Sequence, residues 1–395
     1  MSTRIGIGFS QHLDAEKCAK EAAFQAKTQL HHDRIDFSLV IMTVHYDAKK
    51  ALPVIMRVLQ DAKLIGCTSA GIILSDSIEH RGIAILACSS EEIKFGIGCV
   101  QNVNMEDGHK SGSLLARSTL SNFGSHSRQA FLFLADGNLK NTSEILKGAQ
   151  EVLGNVFPVV GGCSSDDFHF EKTYQFLENN VLQNAAVSLL LGGHMSIGVG
   201  SRHGWRPLGK PRTIDKIDTN MIVSISGKKA SSIYEEYFGA EAENLRSSHL
   251  GQMAILYPLG IYVDGSDEYL LKNAVDILAD GSIVCQGEVP LGSEVHIMIG
   301  NKESCKQAAA DAAREAYKNL LGKQAKLIIV LESMSRLKLL GRMAAEEINY
   351  IKQIFGPDIP LIGMYTNGEI CPFQAVERFK MPHFQNESIV ILAIS

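Results

Sequence analysis

The sequence has few of the features that mark the common classes of binding or catalytic protein. Among its 395 residues there is one tryptophan, and the formal net charge is −5. This charge gives no basic surface for nucleic acid or for an anionic membrane, so we expect neither as a partner. The apolar run Ala185–Leu191 is far too short to span a bilayer. Residues 1–14 lack the continuous apolar segment of a signal peptide, so we expect a cytoplasmic protein.

Several well-known site motifs are also missing. The eight cysteines contain no C-x-x-C pair, which excludes a zinc finger and a thioredoxin motif. Such thinly spread cysteines indicate reduced thiols, most of them small buried hydrophobic residues. Neither a G-x-x-x-x-G-K-[ST] loop nor a G-x-S-x-G elbow occurs. The pattern Gly198-x-Gly200-x-x-x-Gly204 is rejected as a dinucleotide fingerprint, because prolines follow it where a helix is required.

What the sequence does contain is an internal repeat of three α/β units. Each unit has a short strand ending in glycine, an Ala-rich helix, an apolar strand, a second helix, a glycine loop and a closing strand. The predicted first strands are Ile5–Gly8, Phe95–Gly98 and Ile297–Gly300. The predicted apolar strands are Phe37–Val44, Ala130–Ala135 and Lys326–Leu331. The matching glycine loops are Gly66–Ser69, Gly162–Ser165 and Gly363–Thr366.

An insert of roughly a hundred residues precedes the third predicted unit, from about Ser201 to Glu294. Near the start of the insert lies Trp205–Pro211, where two prolines argue against a helix or a central strand and predict a linker. The sequence therefore predicts two domains with mixed sheets. Residues 1–204 would hold two units, and residues 205–395 the insert and the third unit.

Three stretches in this order resemble the FIST family, whose members carry an N-terminal and a C-terminal FIST region. Val160–Asp167 resembles the family's glycine-rich loop, and His203–Pro207 resembles the junction between the two regions. Leu361–Ile370 resembles the ending of the C-terminal region. Together the matching segments extend over nearly the whole chain.

The resemblance implies a sensor protein that binds a small ligand and reports to a signalling partner. In length and layout the chain is similar to the stand-alone haem-binding nitric-oxide sensors of the family (NosP). That similarity implies haem b as cofactor, nitric oxide as signal and a separate sensor histidine kinase as partner in a two-component system. A haem-free sensor for a small metabolite such as an amino acid is the alternative.

The two regions would form a ligand cleft between them, because binding sites favour domain interfaces and combine an apolar wall with a few polar groups. The predicted cleft residues are Asp166, Asp167, Trp205, Arg206, Tyr365, Asn367 and Glu369. If haem binds, its axial ligand would be His203 at the junction or, as second choice, His169. Arg202 and Arg206 would then pair with the propionates.

Two other classes of protein stay open at this point. An enzyme would use Cys163 as a nucleophile or the aspartate pair Asp166–Asp167, although proximity in sequence gives no catalytic geometry. We expect no catalytic site. An interaction scaffold with an empty cleft is the remaining reading.

Overall fold

The computed structural model describes residues 3–103, 107–239, 256–263, 268–373 and 380–395, and it confirms the predicted mixed α/β class. The first unit contains β1 (Arg4–Ser10), α1 (Ala15–Leu30), β2 (Phe37–Thr43), α2 (Ala48–Leu59), β3 (Lys63–Ser69), β4 (Ile72–Leu74), β5 (Ile78–Glu79) and β6 (Ile83–Ser89). The second contains β7 (Ile93–Gln101), α3 (Gly108–Ser121), β8 (Arg128–Ala135), α4 (Thr142–Leu153), β9 (Val159–Cys163), β10 (Gln175–Leu177), β11 (Asn180–Leu182) and β12 (Ala185–Gly193).

The third unit is interrupted by the insert. It opens with β13 (Ile197–Arg202). The insert contains β14 (Trp205–Asp218), β15 (Met221–Ile225), β16 (Lys228–Lys229), α5 (Ser232–Phe238), β17 (Leu259–Ile261), β18 (Leu270–Lys272), β19 (Ala274–Ile277), β20 (Ile283–Cys285) and β21 (Glu294–Gly300). The unit resumes with α6 (Lys302–Asn319), β22 (Leu327–Ser333), α7 (Met334–Leu340), α8 (Ala345–Phe355), β23 (Leu361–Thr366), β24 (Glu369–Pro372), β25 (Pro382–Gln385) and β26 (Ile389–Ile394).

The predicted first strand of the third unit is wrong. That strand is β13, which pairs antiparallel with β26 as β1 pairs with β6 and β7 with β12. The predicted segment Ile297–Gly300 instead belongs to β21 of the insert. The two segments have nearly the same pattern of branched residues and glycine, so composition alone does not separate them. The insert therefore lies inside the third unit, after its first strand.

Paired glycines explain why the first strands look alike. A Cβ added at Gly8 would lie 1.9 Å from the Ala22 carbonyl oxygen of α1, and one at Gly200 would lie 2.0 Å from the Ala312 oxygen of α6. These glycines let an alanine-faced helix lie directly on the sheet. Asp14 is the N-cap of α1, and its side chain accepts the Lys17 N–H at 2.9 Å.

The three units form a closed ring by exchanging hairpins. In the sheet of each unit, the first strand (β1, β7 or β13) lies next to the last strand (β6, β12 or β26). The central strand (β2, β8 or β22) follows, and then the third strand (β3, β9 or β23). The hairpin that follows the third strand then joins a neighbouring sheet: β4–β5 joins the third unit, β10–β11 the first, and β24–β25 the second. Apolar side chains of all three sheets meet in one central core, and the helices cover the outer faces. None of the described helices is long and apolar enough to cross a membrane.

Most residues of the predicted glycine loops belong to strands instead. Gly66–Ser69 and Gly363–Thr366 end β3 and β23, and Gly162 and Cys163 end β9, so only Ser164 and Ser165 lie in a loop. The predicted alignment of the three segments is also one residue off in the second unit. Gly66, Gly161 and Gly363 are equivalent, since they pair with Val40, Phe133 and Val330 in parallel ladders. Gly162 then corresponds to Cys67 and Met364. A Gly-Gly pair carries no side chain to indicate which glycine faces the core.

The predicted linker at Trp205–Pro211 is wrong too. This segment begins β14, and Pro207 lies opposite Met298 of β21. The ladder is irregular between Leu208 and Arg212, so the second proline falls in the irregular stretch. The part of β14 that pairs with β15 begins only at Ile214, which leaves Pro207 on a strand edge that a proline tolerates. The predicted domain boundary at residues 204 and 205 falls between β13 and β14 and stays a prediction.

Gly66→Ala is expected to lower the free energy of unfolding by about 1–3 kcal/mol, because the added Cβ would lie 2.1 Å from the Val40 carbonyl oxygen and the strands must shift. Chemical denaturation measures the change. Lys20→Ala on the exposed face of α1 is the control and should stay within about 0.5 kcal/mol of the wild type. A Gly66→Ala protein as stable as the wild type would contradict the close packing of β2 and β3.

Candidate functional site

The third strands converge near the centre of the ring, where they pack instead of forming a pocket. Cys67 Sγ lies 3.4 Å from Met364 Sδ, and both side chains are fully buried. Around them, the Tyr365 N–H donates to Ser69 Oγ at 2.9 Å, and Ser165 Oγ donates to the Tyr365 carbonyl at 2.5 Å. Each unit supplies one of the three residues, so these bonds stabilise the ring.

The proposed nucleophile Cys163 lies in the layer between sheet and helix. Its thiol is buried next to Thr142, with Sγ and Oγ1 3.6 Å apart. Burial raises the pKa of Cys163 to about 12, so the reactive thiolate is scarce at neutral pH. This environment is that of a packing residue.

The two predicted aspartates have different positions. Asp166 is buried, and its carboxylate accepts the backbone N–H groups of Phe170 at 2.8 Å, Glu171 at 2.6 Å and Lys172 at 3.0 Å. These bonds hold the loop after β9 in shape. Asp167 is half-buried with a positive φ of 55°. Neither lines one of the two cavities described below.

Tyr365 and Glu369 lie inside the third unit rather than in a cleft. Glu369 is fully buried and accepts hydrogen bonds from Thr366 Oγ1 at 2.6 Å and from Ser388 Oγ at 2.8 Å. Burial raises the pKa of Glu369 to about 7. The Tyr365 hydroxyl has no hydrogen-bond partner among the described residues, and burial raises its pKa.

A cavity of about 450 Å³ lies where β13 passes into β14, and we call it the junction cavity. It holds the predicted residues Trp205 and Arg206, together with His203. The tryptophan is almost fully buried, whereas the arginine side chain is exposed. The lining residues include Ser201–Pro207, Glu268, Tyr269, Asp311, Phe373 and Gln385.

Both signs of charge meet in the junction cavity. The Arg206 side chain makes no ion pair or hydrogen bond within the described part of the chain, although its backbone lies in the ladder between β14 and β21. Arg202 pairs with Glu315 at 2.5 Å, and its Nε lies 3.8 Å from Glu268. Burial raises the pKa of Glu268 to about 7. Asp311 adds a second carboxylate from α6. The cavity therefore suits a ligand with an anionic and a cationic group.

The tautomer and the protonation of the His203 ring determine how well the junction cavity suits haem. His203 Nδ1 accepts the Trp205 backbone N–H at 2.9 Å, so in the neutral ring Nε2 carries the hydrogen. An axial histidine needs the opposite tautomer, with a free lone pair on Nε2. Burial and the charge of Arg336 lower the pKa of His203 to about 3. The ring stays neutral at pH 7 in the tautomer that does not ligate iron.

The remaining features of a haem or metal site also fit poorly. The junction cavity has many polar and charged lining residues, whereas the macrocycle has two large apolar faces. His169 is exposed and lines neither cavity, and its backbone N–H donates to the Asp166 carbonyl at 3.2 Å. Within the described ranges, no three His, Cys, Asp or Glu side chains group as metal ligands would.

Asn367 lines a different cavity, of about 280 Å³, which we call the amide cavity. It is formed by Gly137–Lys140, Phe170, Asn273–Val275, Cys285, Gln286 and Asn367. The seven predicted cleft residues are thus divided among the junction cavity, the amide cavity, the core and a loop. As ligand contacts they stay a prediction.

Sequence reasoning missed the buried group that supports the junction cavity. Arg336 of α7 is fully buried, pairs with Glu332 at 3.2 Å and also with Glu347. It donates to the His203 carbonyl at 2.5 Å and to the Cys305 carbonyl at 2.8 Å. The four-residue spacing of Glu332 and Arg336 is a signal for an ion pair, but it does not indicate burial.

Comparison with known proteins identifies both regions of the chain. Residues 36–228 match the FIST N domain, and residues 230–372 match the FIST C domain. An uncharacterized protein of Mycobacterium bovis is 23% identical over 375 residues, covering 93% of this chain and 94% of its own. An uncharacterized protein of Mycobacterium tuberculosis is 24% identical over 378 residues, with coverages of 93% and 95%. Among solved structures, a cyanuric acid hydrolase from A. caulinodans aligns with a TM-score of 0.39 and 7% identity, covering 100% of this chain and 99% of its own.

Proposed function

The chain belongs to the FIST family, and we propose that it is a sensor protein that binds a small amphoteric ligand, such as an amino acid, in the junction cavity. FIST domains are associated with sensing in signal transduction and bind small ligands. The observation that carries the proposal is that Arg206, whose side chain has no partner among the described residues, lines one cavity together with the carboxyl groups of Glu268 and Asp311.

Each part of an amino acid has a counterpart in the junction cavity. Arg206 would bind the α-carboxylate, because guanidinium and carboxylate form strong charge-assisted hydrogen bonds. Glu268 and Asp311 would face the ammonium group. Trp205 and Phe373 offer apolar surface for the side chain of the ligand. The volume of about 450 Å³ lies within the usual range for small-molecule sites, about 300–1,000 Å³.

We propose a separate histidine kinase as the receiver of the signal. The junction cavity takes residues from the insert, from α6 and from the β24–β25 hairpin, so a ligand would contact all three at once. A ligand shifts a conformational equilibrium only through its differential affinity for the two states. A kinase that binds the ligand-bound conformation more tightly would therefore respond to that shift.

Arg206→Ala is expected to weaken amino-acid binding at least tenfold, because it removes the charge partner of the carboxylate. Isothermal titration calorimetry with the individual amino acids measures the dissociation constants. Lys210→Ala is the matched control, since Lys210 lies on the same strand, is exposed and does not line the cavity. Equal affinity of the wild type and Arg206→Ala for every amino acid that binds would refute this assignment, as would the absence of any binding.

Haem-based nitric oxide sensing is the second candidate, and the resemblance to haem-binding family members is what supports it. The tautomer of His203 and the polar lining of the junction cavity disfavour haem binding. When haemin is mixed with the purified protein, its Soret band is therefore expected to stay at the position of free haemin, without the shift that histidine ligation causes. A shifted Soret band that is lost in His203→Ala would overturn this expectation and favour haem, provided that it is retained in the control His109→Ala, whose side chain is 45% exposed and lies outside the junction cavity.

A further inference from the structure

One leucine side chain lies in solvent on a backbone conformation that leucine rarely adopts. Leu321, just after the end of α6, is 87% exposed, the largest value among the large apolar side chains of the described residues. Its φ is 53°, in the left-handed region where glycine and asparagine are the usual residues. Both the solvent and the backbone disfavour leucine at this position. A surface that buries the side chain would therefore stabilise it.

An open groove of about 420 Å³ lies beside this leucine. The first unit contributes Thr3 and Ile5 to it, and the third unit contributes Gln324–Lys326 and Phe355–Pro360. Most of these residues are apolar, so the groove suits an aliphatic side chain. The chain runs from Leu321 through two further residues into the lining of the groove.

The end of α6 continues the same face of the molecule. The ring of Tyr317, which is half exposed, contacts the Phe355 ring of the groove, and the ring centroids lie 5.6 Å apart. Leu321 follows Tyr317 by one helical turn along the chain. The exposed leucine, the tyrosine and the groove therefore form one continuous patch, which we call the α6 patch.

Opposite charges lie at the two parts of the α6 patch. Lys323 is exposed next to the leucine, and its Nζ donates to Ser196 Oγ at 2.7 Å but makes no ion pair with the described residues. Asp358 is exposed at the groove and likewise makes no ion pair within the described ranges. The lysine that lines the groove, Lys326, is already paired with Glu92 at 3.3 Å.

We infer that a second copy of this chain covers the α6 patch in a two-fold dimer. Leu321 of each copy inserts into the groove of the other, and Lys323 of each copy lies against Asp358 of the other. In a two-fold dimer every contact occurs twice, so one patch must offer both the projecting side chain and the groove that receives it. The α6 patch offers both, together with both signs of charge, whereas an unrelated partner would need only one half of it.

This interface is separate from the proposed amino-acid site. The groove shares no lining residue with the junction cavity. The cavity takes Ser304, Gln307, Ala308 and Asp311 from the first part of α6, whereas Tyr317 lies in the last turn. Dimerisation through the α6 patch therefore leaves the junction cavity open to a ligand.

Sedimentation velocity of the full chain tests the inference. The wild type is expected to form a dimer whose share rises over protein concentrations of about 1–100 µM. Leu321→Asp should raise the dimer dissociation constant at least tenfold, because a carboxylate must lose its water to enter the apolar groove. Aspartate tolerates the left-handed conformation, so the variant should keep the fold and the denaturation midpoint of the wild type. Leu13→Asp is the matched control, since Leu13 is 75% exposed and lies outside the patch, and it should dimerise like the wild type.

Charge reversal tests which surfaces meet. Asp358→Lys and Lys323→Asp should each weaken the dimer several-fold, because each places two like charges against one another twice. The double variant restores opposite charges and should recover most of the wild-type affinity.

Three results would overturn the inference: a wild type that stays monomeric up to about 100 µM, a dimer that persists unchanged in Leu321→Asp, or single reversals whose combination brings no recovery. None of these outcomes depends on Arg206, so the amino-acid site keeps its own test.

Discussion

Arg336→Met is expected to lower the free energy of unfolding by about 3–5 kcal/mol, the usual result of removing one partner from a buried ion-pair group. Arg336 is 0% exposed and is held between Glu332 and Glu347. Methionine fills much of the same volume but leaves both carboxylates without a positive partner. It also removes the donors to the His203 and Cys305 carbonyls, on which the junction cavity rests.

Chemical denaturation at pH 7 measures this loss. Arg34→Ala is the control, because Arg34 pairs with Asp36 at 2.6 Å while its side chain is 58% exposed. Solvent screening limits such surface pairs to about 0–1 kcal/mol. A loss below about 1 kcal/mol for Arg336→Met would show that the pair is neither buried nor structurally important. Equal losses in the two variants would lead to the same conclusion.

Glu387→Gln is expected to make the stability of the protein less sensitive to pH. Burial, and then the negative charge of Glu369, raise the pKa of Glu387 to about 8. The folded state therefore holds a proton that the unfolded chain releases at about pH 4. Wild-type stability should fall as the pH rises from about 4.5 to about 8, by up to about 1.4 kcal/mol per pH unit for this group.

Glutamine keeps the shape and cannot ionise, so the fall should be smaller in Glu387→Gln and the variant should be the more stable protein at pH 8. A residual slope up to about pH 7 should remain, because Glu369 also has a raised pKa of about 7. Denaturation curves at pH 5, 6, 7 and 8 measure both slopes, with the exposed Glu16→Gln as control. Parallel curves for Glu387→Gln and the wild type would contradict the raised pKa.

The repeat was predictable because each copy carries a strong local pattern. Glycine in the first strand, alanine on the facing helix and a continuous apolar strand all have direct structural causes, seen at Gly8, Ala22 and Leu39. The first strand of the third unit, β13, is hard to recognise because the spacing of its Gly198 and Gly200 also resembles part of a nucleotide fingerprint. The last strand of the insert contains a similar glycine-ended segment, Ile297–Gly300, which fits the predicted pattern equally well.

The ring closure was not predictable from the sequence. The exchanged hairpins are built from strands of two to four residues, which is too short for a periodic pattern to identify a partner sheet. The candidate site was predictable in part. His203, Trp205 and Arg206 are close in sequence and lie in one cavity, whereas Glu268 and Asp311 reach it only through the tertiary fold.

A crystal structure of the protein with the tightest-binding amino acid tests the central claim most directly. Our account predicts electron density in the junction cavity, with the α-carboxylate against Arg206, the ammonium group facing Glu268 and Asp311, and the side chain near Trp205. Ligand density outside this cavity, or a ligand in it whose carboxylate points away from Arg206, would contradict the account.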